Sequence, residues 1–338
     1  MAKRIGFLSF GHYQAVPGSL VRTARDALMQ TIELAVAAEE VGADGAFVRV
    51  HHFAPQLASP FPLLAAMGAR TSRIELGTAV IDMRYENPLY MAEDAAAADL
   101  ISDGRLQLGL SRGSPETALN GSEAFGHVPD EGQTDADLAR AHTGVFRAAI
   151  SGAGVARSNP TMTGVDQPLA IQPQSPGLAD RIWWGSGTRA TAVWTAEQGM
   201  NLMSSTLLTE DTGAPFDELQ AEQLMMFREA WKAEDWGREP RVSVSRSILP
   251  IFDDETRRYF GLRAQADSHD QVGQLDGGLA RFGKSYIGEP DKLAAELAQD
   301  AAVRDADTVL VTVPNQLGVE FNARVLEVIV KQIAPALN

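Results

Sequence analysis

The sequence contains no cysteine, and this absence excludes several kinds of site. Without a thiol the chain has no disulfide, no thiolate ligand for a metal and no cysteine nucleophile. Positive charge is also scarce, because 29 lysines and arginines stand against 44 aspartates and glutamates, for a formal net charge of −15 at pH 7. Since like charges repel, we expect neither nucleic acid nor an anionic membrane as a partner.

Long apolar runs are missing as well. No stretch approaches the roughly 20 residues that a membrane-spanning helix needs, and the chain passes from Met1 into a strand-like segment without a separate apolar signal region. We therefore expect a cytoplasmic protein. With 338 residues, 45% of them hydrophobic, the chain is long enough for a single α/β barrel with a large core.

The chain is rich in alternation between strand-like and helix-like segments. The clearest unit is the β-like run 74–81, an Ala-rich helical segment 88–101, and a second strand that ends near Gly113. About eight such strands occur, nearly all followed by helices, with no break in composition. This rhythm predicts an α/β fold, a (β/α)8 TIM barrel that forms one domain over residues 1–338.

Three irregular segments interrupt the rhythm. A polar loop is predicted at 114–133. Insertions at the C-terminal face of the strands are expected at about 151–180, as an excursion over the barrel mouth, and at about 250–285, as a candidate lid.

In a barrel of this kind the chemistry lies at the C-terminal ends of the strands. By sequence these ends are rich in hydroxyls, histidine and arginine and poor in carboxylates, which favours an anionic ligand. The predicted strand ends are residues 9–12, 51–52, 78–79, 111–112, 185–188, 204–205, 247 and 314–315.

Residues 185–191, Gly-Ser-Gly-Thr-Arg-Ala-Thr, lie between a strand and a helix. The glycines allow close backbone approach, the first amides of a helix carry the positive end of its dipole, and Thr188 and Thr191 add hydroxyls. This combination predicts a phosphate site; the alternative is a threonine cap after a glycine-rich turn. The glycine spacing differs from that of the dinucleotide-binding fingerprint.

His51 and His52 follow the second predicted strand. Adjacent side chains at a strand end point to opposite sides, and no third ligand is evident, so we expect no metal. We expect one ring to face the mouth, where an imidazole suits proton transfer near neutrality, and the other to pack behind it. The alternative is a pair of structural histidines.

Together these pieces resemble the bacterial luciferase-like flavin-dependent oxidoreductases, which are (β/α)8 barrels. The matching pieces are His51-His52-Phe53, Gly77-Thr78-Ala79-Val80 and the runs 102–113 and 181–199, of which the block 104–113 is the most specific. In element order the resemblance extends from residue 4 to about residue 330.

The resemblance implies roles for individual residues. It implies that His51 is the active-site histidine beside the flavin and that Ser111 faces the reactive edge of the flavin. It implies a non-proline cis peptide between Thr78 and Ala79 under the flavin ring, and Arg112 at the flavin phosphate. The other implied phosphate contacts are Ser186, Gly187, Thr188, Arg189, Ala190 and Thr191.

The implied activity is that of a monooxygenase in which reduced FMN, supplied by a separate flavin reductase, and O2 oxygenate a small organic substrate. Val50 and Ser111 stand where luciferase has a glutamate and a cysteine, which argues against light emission. The resemblance also implies a homodimer, for which the apolar early helices, 23–41 and 60–70, are suited.

Alternatives remain open at this point. Some members of the same family use a deazaflavin for hydride transfer, and some barrels of the family bind flavin without catalysis. A cofactor-free barrel that acts on sugar phosphates would use the same phosphate site, but it would need a carboxylate or lysine at a strand end, and the predicted strand ends show neither.

Overall fold

Eight parallel strands form the centre of the fold. The computed structural model describes residues 3–113, 117–275 and 278–337, and within these the strands close into a barrel because the sixth and seventh also pair. The strands are β1 (Arg4–Ser9), β2 (Gly45–Val48), β3 (Glu75–Asp82), β4 (Leu106–Ser111), β5 (Ile182–Ser186), β6 (Asn201–Ser204), β7 (Val242–Pro250) and β8 (Thr308–Thr312). The predicted (β/α)8 barrel is confirmed.

Helices cover the outside of the barrel. The longer ones run over Ala24–Val41, Pro60–Arg70, Pro88–Ile101, Asp135–Ile150, Arg189–Glu197, Phe216–Glu234, Pro290–Leu297 and Gly318–Val328. Shorter helices lie at Pro160–Thr163, Asp254–Phe260, Arg263–Ala266 and Ala301–Asp305. In the described part of the chain, no helix combines the length and apolar character needed to cross a bilayer.

Local sequence explains where several helices begin. Thr23 and Asp26 form a capping box at the first helix, and the Asn87 side chain accepts from the backbone amides of Leu89 and Tyr90, which follow Pro88. The helix Pro290–Leu297 ends before Asp300, whose side chain accepts from the Val303 amide and starts a second helix, Ala301–Asp305.

Segment 151–180 lies at the end of the barrel opposite the mouth, so its predicted position over the mouth is wrong. Asp135–Ile150 runs back from the mouth, and the segment begins where that helix ends. Gln174 donates to the Ala149 carbonyl at 3.1 Å, and Asn201, at the start of β6, donates to the Asp180 carbonyl at 3.0 Å. The segment includes an antiparallel hairpin, Gly154–Arg157 with Pro168–Ala170.

Segment 250–285 lies at the mouth. Its strands Gln271–Leu275 and Gly278–Phe282 form a hairpin, which pairs with Leu207–Leu208 just after β6. The chain then adds Ser285–Gly288 in parallel beside the end of β7. In the predicted polar loop, residues 114–116 lie outside the described residues, and a short 3-10 helix spans Gly121–Phe125.

The barrel interior has a polar floor at the N-terminal ends of the strands. Glu75 accepts from the two terminal nitrogens of Arg241 at 2.8 and 2.9 Å, and the Gln107 amide nitrogen lies 3.4 Å from the same carboxylate. The Trp183 indole N–H donates to Gln107 at 2.8 Å. A buried apolar cluster lies inside the barrel as well and comprises Leu8, Phe47, Trp183, Met203 and Leu310.

A second buried ion pair lies outside the strand cylinder. Arg246 donates from Nε and Nη2 to the two oxygens of Asp300, at 2.7 and 2.9 Å, and the Tyr286 hydroxyl donates to Asp300 as well. The two charged side chains are only 2% and 0% exposed. Removing one member of such a pair leaves the other charge buried without compensation.

Asp300→Asn is therefore expected to lower the free energy of unfolding by about 3–5 kcal/mol, because Arg246 loses its counter-charge while asparagine keeps the shape and the helix cap. Urea denaturation followed by circular dichroism measures the change. Glu327→Gln, which breaks the exposed pair with Lys331, is the control and should change it by less than about 0.5 kcal/mol. Equal effects of the two variants would contradict the conclusion that Asp300 and Arg246 form a buried ion pair.

Candidate active site

A cavity of about 390 Å³ opens at the C-terminal mouth of the barrel. Its volume is in the range of small-molecule binding sites, and it lies where barrel enzymes place their chemistry. The predicted site residues that line it are His51, Ala79, Ser111, Arg112, Ser186, Gly187, Thr188 and Thr191. The structure thus brings together four separate strand ends that the sequence predicted as one site.

Three predicted site residues do not line this cavity. Thr78 is fully buried, and its hydroxyl donates to the Gly109 carbonyl at 2.9 Å. The Arg189 guanidinium pairs with glutamates at 210 and 222, and Ala190 is exposed on the helix surface. Of Arg189 and Ala190, therefore, only the backbone at the start of the helix is left to contact a phosphate.

A non-proline cis peptide joins Ala79 and Val80. The expected position, between Thr78 and Ala79, is wrong by one residue. The pairing of β3 with β4 shifts register between Thr78 and Ile81, and within this irregularity Ala79 and Val80 line the cavity. Thr78 instead remains paired with Leu108, which keeps its side chain away from the cavity.

The two histidines separate as expected. His51 lines the cavity and is half-buried, whereas His52 is buried behind it, with its ring stacked on Tyr85 at a centroid distance of 4.2 Å. Burial and the Arg49 charge lower the pKa of His51 to about 4, and burial and His51 lower the pKa of His52 to about 4. Both imidazoles are therefore neutral at pH 7, and His51 offers a ring nitrogen to the cavity as a weaker base than a free imidazole.

Asp82, at the end of β3, is a cavity-lining carboxylate that the sequence did not reveal. It is buried, and its two oxygens lie 3.0 and 2.6 Å from Nε and Nη2 of Arg84. Gly113 leaves room for the pair, since it has φ +81° and an added Cβ would lie 1.8 Å from Asp82 Oδ2. The expectation that the strand ends lack a carboxylate is therefore wrong, although this one is neutralised.

Residues 185–191 form the predicted turn into the helix Arg189–Glu197. The Thr188 hydroxyl oxygen accepts from the Thr191 amide at 3.1 Å and donates to the Thr191 hydroxyl at 2.9 Å. Thr209, which also lines the cavity, fixes the turn, because its amide donates to the Gly187 carbonyl at 2.9 Å. Thr188 and Thr191 line the cavity at the positive end of the helix dipole, which suits an anion.

Three arginines, Arg49, Arg112 and Arg140, bring positive charge to the cavity wall. Arg112 follows β4 and is exposed, and among the described residues no acidic side chain pairs with it. Arg140, which the sequence did not single out, reaches the cavity from the helix Asp135–Ile150 with its guanidinium 4.8 Å from the centre of the Trp194 ring. A position on an exposed helix carries no sequence signal that would have identified it.

The deeper lining is mixed in character. Leu8, Val80, Met203 and Leu310 contribute apolar surface, while Ser111 and several other serines and threonines contribute hydroxyls. One end of the cavity therefore suits a charged group and the rest suits a planar or apolar one. Among the described residues, no group of three or more His, Asp or Glu side chains is arranged to hold a metal ion.

Two curated relatives illustrate what the chain is similar to. It is 23% identical over 273 residues to the oxygenase component of the flavin-dependent trigonelline monooxygenase of Acinetobacter baylyi, covering 75% of this chain and 71% of that protein. It is 32% identical over 154 residues to the F420-dependent glucose-6-phosphate dehydrogenase of Kribbella flavida, covering 43% of this chain and 44% of that protein. Other curated relatives are matched over only 28–36% of their length.

Two solved structures resemble the whole barrel. The monooxygenase RslO1 from Streptomyces bottropensis superposes with a TM-score of 0.73 at 21% identity, over 99% of this chain and 100% of that one. The oxygenating constituent of 3,6-diketocamphane monooxygenase from Pseudomonas putida, solved with FMN, superposes with a TM-score of 0.69 at 16% identity, over 99% of both chains. At these identities the likeness establishes the fold alone.

The family model for luciferase-like monooxygenases matches residues 5–306, which is most of the chain. The match includes every barrel strand except β1, whose first residue precedes it, and β8, which follows it. The relatives include both monooxygenases and dehydrogenases, which supports the conclusion that this chain is an enzyme. This chain therefore belongs to the luciferase-like monooxygenase family.

Proposed function

We propose that this chain is the oxygenase component of a flavin-dependent monooxygenase, which uses reduced FMN and O2 to oxygenate a small organic substrate. The observation that carries the proposal is the cavity, which unites a neutral His51 and Ser111 with the anion-binding turn at Thr188 and Thr191. The name of the trigonelline relative, an oxygenase component, supports a separate reductase as the source of reduced flavin.

The residues present fit FMN. Thr188, Thr191, Arg112 and Arg140 would hold the phosphate through hydroxyls, the helix start and positive charge. Ser111 and the cis-linked pair Ala79-Val80 would contact the ring system. When bound, reduced FMN supplies the two electrons needed to activate O2.

The protein's own part would be positioning, proton transfer and exclusion of water. His51, neutral at pH 7, would accept or return a proton at an imidazole nitrogen. Leu8, Met203 and Leu310 would keep the inner cavity dry, and the hairpin of segment 250–285 would cover it. The substrate would enter from the mouth.

Hydride transfer with a deazaflavin is the second candidate. It is favoured by the 32% identity to an F420-dependent glucose-6-phosphate dehydrogenase over 43% of this chain, a higher identity over a shorter stretch than that with the monooxygenase relative. We also propose that the protein forms a homodimer. The apolar side chains of Leu28 and Met29 on the helix Ala24–Val41 are 42% and 39% exposed, and a second subunit would cover them.

Anaerobic titration with reduced FMN and, in parallel, with reduced deazaflavin is expected to show tighter binding of FMN. Admission of air should then start O2 consumption only in the FMN sample. Binding can be followed by absorbance and oxygen uptake with an electrode. Preference for the deazaflavin would show that the protein catalyses hydride transfer instead. If neither flavin binds, the proposal that the protein uses a flavin is wrong.

Arg112→Ala is expected to weaken FMN binding by about 1.5–3 kcal/mol, because a charge-assisted contact to the phosphate is lost. Riboflavin, which lacks the phosphate, should bind the variant as it binds the parent. Isothermal titration calorimetry gives both affinities. Arg157→Ala, in the hairpin at the far end of the barrel, is the control, and an unchanged FMN affinity in the Arg112 variant would show that the phosphate lies elsewhere.

Arg49→Gln is expected to raise the pKa of His51 from about 4 but to leave it below 6.5, because burial, the larger cause, remains. The pKa of His52, which burial and His51 lower, should move less. NMR titration of the ring protons measures both. A His51 that titrates near 6.5 in the parent protein would contradict the assignment.

The same pKa shifts predict a loss of stability in acid. Between about pH 6.5 and pH 4, the unfolded chain binds protons at His51 and His52 that the folded chain does not, so the free energy of unfolding should fall as the pH falls through that window.

A further inference from the structure

Glu210 places a carboxylate at the start of the helix Arg189–Glu197. Its Oε2 accepts from the Arg189 backbone amide at 3.1 Å and lies 3.2 Å from Nε of the same arginine. The amide nitrogen of Gln223 lies 3.4 Å from this oxygen and 3.4 Å from the Gly187 carbonyl oxygen. Gln223 is fully buried, and its Oε1 has no hydrogen-bond partner within the described residues.

The neighbours of Glu210 hold it in this position. Thr209 donates from its amide to the Gly187 carbonyl at 2.9 Å. On the other side, Asp211 pairs with Arg281 of the mouth hairpin at 2.7 Å. The carboxylate is therefore fixed from both sides along the chain rather than being a free surface group.

The Arg189 side chain does not line the cavity, but its backbone amide directly follows the cavity-lining Thr188 and is a donor that a phosphate at this turn would use. It is the first amide of the helix, while the Thr191 amide already donates to Thr188. One N–H makes one strong hydrogen bond, so Glu210 and a phosphate oxygen compete for it. A carboxylate beside a phosphate dianion also repels it.

We propose that Glu210 is a positioning residue that keeps the affinity for FMN low by competing with its phosphate for the Arg189 amide. The inference rests on the proposed function and deepens it, because a weakly held flavin can exchange with a separate reductase and so acts as a substrate of this chain. A purely structural Glu210, which only shapes the turn, would have the opposite effect, since its loss would weaken phosphate binding.

Glu210→Gln removes the charge and leaves a neutral amide oxygen, which competes for the Arg189 amide more weakly than the carboxylate does. FMN affinity is expected to rise on the order of tenfold, with a correspondingly slower dissociation, and riboflavin affinity is expected to stay the same. Fluorescence titration and stopped-flow dissociation measure the two quantities. Glu222→Gln is the matched control, because within the described residues Glu222 contacts Arg189 at Nη1 of the side chain, at 3.4 Å, and not at the amide, so this variant should change FMN affinity less than twofold.

Inorganic phosphate provides a test that does not depend on flavin binding. Calorimetry should show tighter phosphate binding to Glu210→Gln than to the parent, and the gain should disappear in the double variant that adds Thr191→Val. If neither protein binds FMN but this gain is present, the proposed function fails, and what stands is the competition between Glu210 and a phosphate at this turn. Unchanged or weaker binding of phosphate by Glu210→Gln would overturn the inference, whether or not FMN binds.

Discussion

The barrel interior depends on the ion pair between Glu75 and Arg241 at its floor. A carboxylate inside a closed sheet is tolerated only when it is fully paired, and here the partners are Arg241 from the far side of the barrel, Gln107 from the neighbouring strand and Arg4 from β1. The Arg241 guanidinium also lies 5.0 Å from the centre of the Trp183 ring. Because this network fills the N-terminal end, the free volume lies at the opposite end, where the loops can reach it.

At the mouth of the barrel, too, a buried carboxylate is paired with an arginine. The chain as a whole is acidic, yet a phosphate needs a positive environment. Arg84 neutralises Asp82 inside the cavity wall and also reaches Asp135, at 2.8 Å, at the start of the helix that carries Arg140. One arginine therefore removes a repulsive charge and helps to fix the helix that supplies an attractive one.

Most of what could be predicted from the sequence came from the regular spacing of its apolar residues. The period of the apolar residues predicts strands and helices, and parallel strands bring residues as distant as His51 and Thr188 to one edge. The cis bond at Ala79-Val80 could not be located in this way, because it lies where the pairing of β3 with β4 becomes irregular. The position of segment 151–180 depends on the direction of the preceding helix rather than on composition.

Individual charged side chains were the hardest to predict. Asp82 extends β3 by one residue beyond the apolar run, and Arg140 lies on an exposed helix face, so neither interrupts a pattern. Their roles depend on rotamers and on partners distant in sequence. Glu210 is of the same kind, since only the fold shows that it lies 3.1 Å from the Arg189 amide.

The two ends of the cavity are held by different kinds of contact, and this difference bears on how the site can vary. Ala79 and Ser111 lie on neighbouring strands of the barrel sheet, whose pairing shifts register between Thr78 and Ile81 and is regular on either side, and β4 also pairs with β5. The turn at Thr188 is held by a few polar contacts from residues 209, 210 and 223, all outside the barrel ladder. Substitutions at that turn can alter the affinity for an anion without moving the strands, because loops supported by a rigid scaffold tolerate change. A family that keeps one barrel and differs in cofactor and substrate therefore needs to vary mainly the loops at the mouth.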